Sequence, residues 1–342
     1  PLKKRVLYVL QEYPQLSETY IYNEIEHVSH LYELEIFALN HANLPYKNHR
    51  AFTVGGDEIE QKLDEINTAF KPDVVHFHYL TVASRIFPFC QHYNLPFTIR
   101  AHSFDVMGAS HKGREAHVAD IANYAEMFNS PLCQGVLIFP FMKELFLEAG
   151  VGEEKIVTTF PVADIARFYD TSENGDQIIN MGAALGKKDM ESFLRLAALK
   201  PDLTLNLHAI GYSKTALEEK NEALGGHCNI IDPVEPEAMP AVYKKHRWLV
   251  YTANDVMKTV GWPVAVAEAQ ASGVGVCVAN IRPDMADYIG EGGGVLFDDV
   301  EEIKDLIAGP VPEEMRARGF ELCWRSDIAT NIGQLSDLWD GA

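Results

Sequence analysis

Three groups of side chains in this sequence have types and spacing suited to chemistry. The first lies in Met257 to Gly273, MKTVGWPVAVAEAQASG, where Glu268 stands on a run of small and apolar residues broken only by Gln270 and Ser272. A helix apolar nearly all round is buried, and a carboxylate on it needs hydrogen-bond donors. Glu268 is therefore expected to find them within the protein or on a ligand that brings hydroxyls. Ahead of it, Gly261, Trp262, Pro263 and Val264 turn into the helix, with Pro263 expected at the first helical position, where its fixed φ suits a start. Backbone amides at such a start can hold a phosphate.

The second group is Lys187 and Lys188, which follow the apolar run QIINMG, with Gly182 at its end, and precede a helical stretch. Cations at a helix start are unfavourable by about 0.3 to 1 kcal/mol, which favours an anion-binding role for them over a solvated face. The third group is in the first half. His102 closes LPFTIRAH and Asp105 follows three residues on, a carboxylate placed to orient it. Ser17, Glu18 and Thr19 occupy the first strand-to-helix loop, Ser17 as a helix N-cap and Glu18 as an acceptor for hydroxyls. His76 and His78 in DVVHFHYL are ligand types for a metal. With no carboxylate cluster beside them in the sequence, no metal is expected, and one ring is assigned to a cleft and the other to the core.

These residues need elements to carry them. RVLYVL (5 to 10), ELEIFAL (33 to 39), DVVHFHYL (73 to 80), LPFTIRAH (95 to 102) and KIVTTF (155 to 160) read as strands between helical stretches. After a turn-rich segment around residues 164 to 177 a second cycle begins with QIINMG. It continues through LTLNLHAIG, CNIID, WLVYTA, VGVCVAN and GGVLF. Alternation of this kind implies doubly wound parallel sheets, and ligands of such sheets lie beyond the carboxyl ends of the strands. The tail from Glu313 to Trp339 reads as two helices.

At 342 residues the chain is long enough for two cores. Its formal net charge of -20 is shared by both halves and excludes capture of nucleic acid or anionic lipid by charge alone. No stacking series of aromatics supports nucleic-acid binding either. The five cysteines, Cys90, Cys133, Cys228, Cys277 and Cys323, are scattered through mostly apolar runs, which reads as reduced core thiols in a cytoplasmic protein.

In this order and spacing, several segments resemble those of GT-B fold glycosyltransferases, specifically the retaining enzymes of family 4. YPQLSETYIYNEI resembles an opening loop of the form YP..SETF, and PDVVHFH followed by PFTIRAHSFDV resembles the paired histidine segments of the first domain. KIVTTFPVADIARF is similar to a segment ending NGVD..RF, MGAALGKKD to GRL..KKG, and GWPVAVAEAQASGVGVCVA to EG.P....EAMA.G.PVV. The resemblance implies two Rossmann-like domains with a cleft between them. They are an acceptor domain over residues 1–168, rejoined by the C-terminal helix 327–342, and a donor domain over residues 173–326.

It also implies transfer of a sugar from a UDP- or GDP-sugar to a saccharide or glycolipid acceptor with retained configuration, without metal or other cofactor. The protein would be cytoplasmic, with at most peripheral contact at the inner face of a membrane. By this analogy Lys187 and Lys188 stabilise the leaving diphosphate, Glu268 accepts from the ribose hydroxyls and His102 serves the reaction centre. Gly182, Gly261, Trp262, Pro263 and Val264 line the donor, and Ser17, Glu18, Thr19 and Asp105 the acceptor. Four positions depart from the pattern: Val260 stands where the motif has Glu, Ala183 where it has Arg, and Pro161 and Val162 where it has Asn-Gly. Two rivals therefore stay open, a nucleotide-sugar binding protein without turnover and a GT-B epimerase.

Overall fold

The computed structural model describes residues 3–15, 18–41, 51–53, 58–108, 113–211 and 213–342. They fall into two compact units, Pro1–Phe160 with Ile328–Ala342, and Pro161–Asp327.

The first unit is built on seven strands, β1 Arg5–Tyr13, β2 Glu33–His41, β3 Ala51–Thr53, β4 Val74–His78, β5 Phe97–Arg100, β6 Cys133–Ile138 and β7 Ile156–Thr158. They lie parallel in the order β3-β2-β1-β4-β5-β6-β7. Helices α1 Thr19–Ser29, α2 Ile59–Phe70, α3 Leu80–Tyr93, α4 Ser103–Met107, α5 Arg114–Ala122, α6 Ala125–Phe128 and α7 Lys143–Glu148 connect them. A parallel sheet is covered on both faces, and its central strands are accordingly buried throughout: all five residues of β4 and all four of β5. The strand β6 was not expected, because Gln134 and Gly135 interrupt its apolar run; three-residue β3 is too short to carry a pattern.

The second unit holds α8 Ile165–Phe168, α9 Met190–Leu199, α10 Lys214–Ala223, α11 Met239–Lys244, α12 Val264–Ala271, α13 Asp284–Ile289 and α14 Glu313–Leu322. Its sheet runs β10-β9-β8-β11-β12-β13, all parallel, with β8 Gln177–Ala183, β9 Leu205–Ile210, β10 Cys228–Ile231, β11 His246–Tyr251, β12 Gly275–Ala279 and β13 Val295–Phe297. Each is a strand foreseen from the sequence. The order reverses at β8, so β8 and β11 form the switch point where such sheets bind ligands.

The last helix, α15 Ile328–Asp340, packs in the first unit. Asn331 Oδ1 accepts from Thr159 Oγ1 at 2.8 Å and from the Phe160 amide at 3.0 Å. Fully buried Trp339 meets Tyr8 and Tyr32 edge-on. Residues 161 to 168, expected with the first unit, pack in the second. The Ala163 amide donates to Ser326 O, Ser272 Oγ donates to Phe168 O at 3.2 Å, and the Phe168 ring lies against Tyr243.

Two helix starts differ from expectation by one residue. α12 begins at Val264, with Pro263 extended at the capping position, because the Pro ring needs only its own φ and leaves ψ free to stay extended (φ -77, ψ 133). α1 begins at Thr19 with Glu18 in the capping position, and Ser17 lies outside the described residues. Among the described residues no helix is long and apolar enough to cross a membrane.

Candidate active site

In the second unit, β8 and β11 end side by side, and the donor candidates gather on them. Lys188 follows β8 in a short 3-10 turn, Gly186–Lys188. Its Nζ donates to the Tyr251 hydroxyl and lies 4.7 Å from the centre of that ring. Its carbonyl accepts from Thr252 Oγ1 at 2.8 Å, and the Lys187 carbonyl accepts from the Asn254 amide at 2.9 Å. The loop after β11 therefore holds both lysines by their backbones, and no carboxylate neutralises either of them among the ion pairs of the described residues. Burial lowers the pKa of Lys188 to about 8; burial and then the charge of Lys188 lower Lys187 to about 8. Gly182 has a φ of 136°, a conformation that favours glycine, and a Cβ there would make only ordinary contact with Lys188 Nζ at 3.5 Å.

Glu268 reaches the same sheet from α12. Its Oε2 accepts from the Tyr243 hydroxyl at 3.0 Å, and that hydroxyl also lies 2.9 Å from Met181 Sδ on β8. Its apolar setting raises the carboxyl to about 7, against the lowering effects of Tyr243 and, more weakly, Arg167. Arg167 is engaged elsewhere, donating to Pro236 O at 2.7 Å. The side chain is partly exposed and keeps acceptor capacity for further hydroxyls.

Trp262 has a structural part. Its ring is buried, stacks on Tyr288 at 4.8 Å and 7° between planes, and donates to Asp284 Oδ2 at 2.8 Å. Tyr288 donates to Pro263 O, and Arg282 to the carbonyls of Lys258 and Val260, so the loop entering α12 is held from behind. Val260 itself is buried. What Gly261, Trp262, Pro263 and Val264 could offer a phosphate is their backbone.

In the first unit, His102 stands at the capping position of α4, and Asp105 Oδ2 accepts from its backbone amide at 2.9 Å. The Asp105 carboxylate thus fixes the backbone of His102, as one half of a capping box; burial raises that carboxyl to about 7. The ring is held by His78, whose Nδ1 lies 3.0 Å from His102 Nε2, with Tyr79 and Tyr20 packed beside it. His78 Nε2 in turn lies 3.1 Å from Glu24 Oε1. Glu18 Oε1 accepts from the Tyr79 hydroxyl, which lies 3.4 Å from that of Tyr20. Thr19 opens α1.

Glu24 is the residue that sequence reasoning missed. It is buried on α1 with Ile21, Ile25 and Val28, and its position on that apolar stripe was the available signal. Burial alone would raise its carboxyl, but Arg100 and the two histidines hold it well below the usual range. Arg100 Nε lies 2.8 Å from Oε2, and the Tyr8 hydroxyl donates to Oε1 at 3.0 Å.

His76 Nε2 lies 3.1 Å from the same Oε1. Both histidines therefore face Glu24, contrary to the expectation that they part, because residues i and i+2 of a strand share a face. Glu24, His76 and His78 bring their ligand atoms within 4.8 Å of one another, a carboxylate–histidine set the sequence did not reveal. The Arg100 guanidinium competes with any cation for that carboxylate.

Two doubly wound parallel units are the architecture of the GT-B fold. Residues 163–311, within the second unit, match the family described as Glycosyl transferases group 1. Among solved structures, HepE of Anabaena in complex with UDP and glucose is 13% identical with a TM-score of 0.79, over 99% of this chain and 100% of that one. Sucrose-phosphate synthase of Thermosynechococcus elongatus is 14% identical with a TM-score of 0.73, over 99% and 100%. A glycosyltransferase of avilamycin A biosynthesis is 20% identical with a TM-score of 0.62, over 100% and 99%. At these identities the likeness is one of fold. No curated protein matches the sequence.

Proposed function

We propose that the chain transfers a sugar from a nucleotide-activated donor to a saccharide or lipid-linked acceptor with retention of configuration, using no cofactor beyond the nucleotide sugar. The observation that carries the donor side is the presence on one sheet end of Glu268, partly exposed with one internal donor, and of two half-buried lysines that no carboxylate neutralises among the ion pairs of the described residues. A nucleoside diphosphate supplies what both lack: ribose hydroxyls for the carboxylate and negative charge for the lysines. Departure of the diphosphate builds charge on its oxygens, and a preorganised ammonium at Lys188 stabilises it by several kcal/mol. Amides of Gly261, Trp262 and Val264 at the start of α12 add to the phosphate grip, Pro263 having no N–H to give. In the first unit, His102 positions the acceptor, with Glu18 and Thr19 nearby in sequence to α1. In this scheme the leaving phosphate takes the acceptor proton, and attack occurs on the face the phosphate leaves. HepE, described in complex with UDP and with UDP-glucose, makes UDP-glucose the first donor to try.

Val260, buried where the resembling motif has Glu, favours a second reading, nucleotide-sugar binding without turnover. One assay separates the readings. Incubation with UDP- and GDP-sugars, with and without saccharide and glycolipid acceptors, is followed by proton NMR of the anomeric signals. Acceptor-dependent nucleotide release with retained configuration is expected. Binding without release supports the second reading, and donor hydrolysis or epimerisation without acceptor supports an epimerase.

A further inference from the structure

We infer that Glu24 and His78 are positioning residues that set the tautomer and orientation of His102, a role that rests on the part proposed for His102 above. Hydrogen-bond polarity gives the argument. An ionised carboxylate only accepts, so the proton between Glu24 Oε1 and His78, 3.1 Å apart, is on His78 Nε2. Burial keeps His78 neutral, against the pull of Glu24, so its Nδ1 carries no proton and can only accept. The contact from that Nδ1 to His102 Nε2, 3.0 Å, then requires the proton on His102 Nε2. His102 is thereby a neutral Nε2–H tautomer whose remaining ring nitrogen, Nδ1, is an acceptor. Burial, first of all, and the neighbouring Arg100 guanidinium hold its pKa well below the usual range, so the ring stays neutral.

A second chain of bonds points the same way. Trp339 Nε1 is a donor only, and it lies 2.9 Å from Thr98 Oγ1. The Thr98 hydroxyl, which accepts there, has its own proton free for His76 Nδ1 at 2.7 Å, an arrangement that would put the His76 proton on Nε2. His78 and Tyr8 thus donate to Oε1, with His76 Nε2 at ion-pair distance from it, while Arg100 holds Oε2. A carboxylate fixed from both oxygens cannot swing, and the His78 ring between it and His102 transmits that fixity. Outer partners of this kind fix the tautomer of a functional histidine, and their loss costs about ten- to a hundredfold where this has been measured at metal sites.

Tautomers of histidine-labelled protein are read directly from two-bond nitrogen–proton correlation spectra. Wild type should show His102 as a single Nε2–H form. His78→Leu should give a mixture of tautomers and a kcat lower by about ten- to a hundredfold with the donor KM unchanged. His78→Asn, whose Oδ1 stands close to the lost Nδ1, should restore the tautomer and most of kcat. Glu24→Leu combined with Arg100→Leu, which removes both charges together, should release the same mixture. An Nδ1–H His102 in wild type overturns the inference without any variant having to fold. A single Nε2–H form retained in His78→Leu or in the double variant overturns it too, and so does a tautomer change that leaves kcat intact. A wild type with the expected spectrum and no transfer activity sinks the proposed function and leaves the positioning of His102 standing.

Discussion

The two units hold polar clusters of opposite economy, one fully buried and one half-buried. Around Glu24 every strong charge has an opposite: one carboxylate meets a guanidinium, two imidazoles and a phenol, and its pKa falls far below normal. Around β8 and β11 the charges are unopposed. Glu268 is pushed up to about 7 and the two lysines down to about 8, each with burial as the largest cause. A cluster complete in itself fixes structure, here the ring of one histidine. A cluster held together by backbone and left short of counter-charge is poised for a ligand that supplies it.

The largest test of that difference removes one charge from each cluster. Arg100→Leu strands the Glu24 carboxylate and should destabilise the protein by about 3 to 5 kcal/mol, read as a lowered melting temperature. Lys188→Met removes a cation that burial disfavours, so the free protein should melt no lower than wild type near pH 7, while kcat falls by about 10²- to 10³-fold. Equal destabilisation by both variants would erase the comparison. Next in size, Glu268→Ala should weaken UDP binding by roughly ten- to a hundredfold in calorimetry, the worth of a hydrogen bond to a charged group.

The pH dependence follows from the same shifts. Glu268 has a raised pKa in the fold, so its contribution to stability is present below about 4.5 and is lost as pH rises to about 7. Lys188 has a lowered one, so stability is lost as pH falls from about 10.5 to about 8. Both groups thus burden the free protein between about pH 7 and 8, where both are mostly charged. UDP affinity should therefore peak between about pH 7 and 8 and fall on either side by up to about tenfold per unit. The smallest effect belongs to Trp262→Phe, which loses the bond to Asp284 for about 1 kcal/mol and should leave UDP affinity unchanged. A loss of affinity would put the Trp262 side chain in contact with ligand.

Much of this was legible in the sequence, and the exceptions have physical reasons. Every strand of the second sheet announced itself, because buried parallel strands are short apolar runs between turns; β6 hid behind Gln134 and Gly135. Lys188 and Glu268 stood out as charges in segments that do not favour them. Their internal partners Tyr251 and Tyr243 did not, since tyrosines in apolar runs read as core until the sheet brings a hydroxyl to a charge. Glu24 was hidden for the converse reason: a glutamate on a helix is ordinary until its neighbours on the apolar stripe are counted. The spacing of His76 and His78 already held the answer that both rings share a face, and the fold shows why they do. Asp105 was read as a partner for the His102 ring, whereas a residue three places along a helix start meets the backbone amide.

One measurement bears most directly on the claim that the second cluster awaits a nucleoside diphosphate. It is the melting temperature of wild type and Glu268→Ala at pH 7.5 against millimolar UDP, GDP, ADP and CMP. The account predicts that a nucleoside diphosphate, UDP first, raises the melting temperature of wild type by mass action and that the shift shrinks in the variant. No shift from any of them, or the same shift in both proteins, would contradict it.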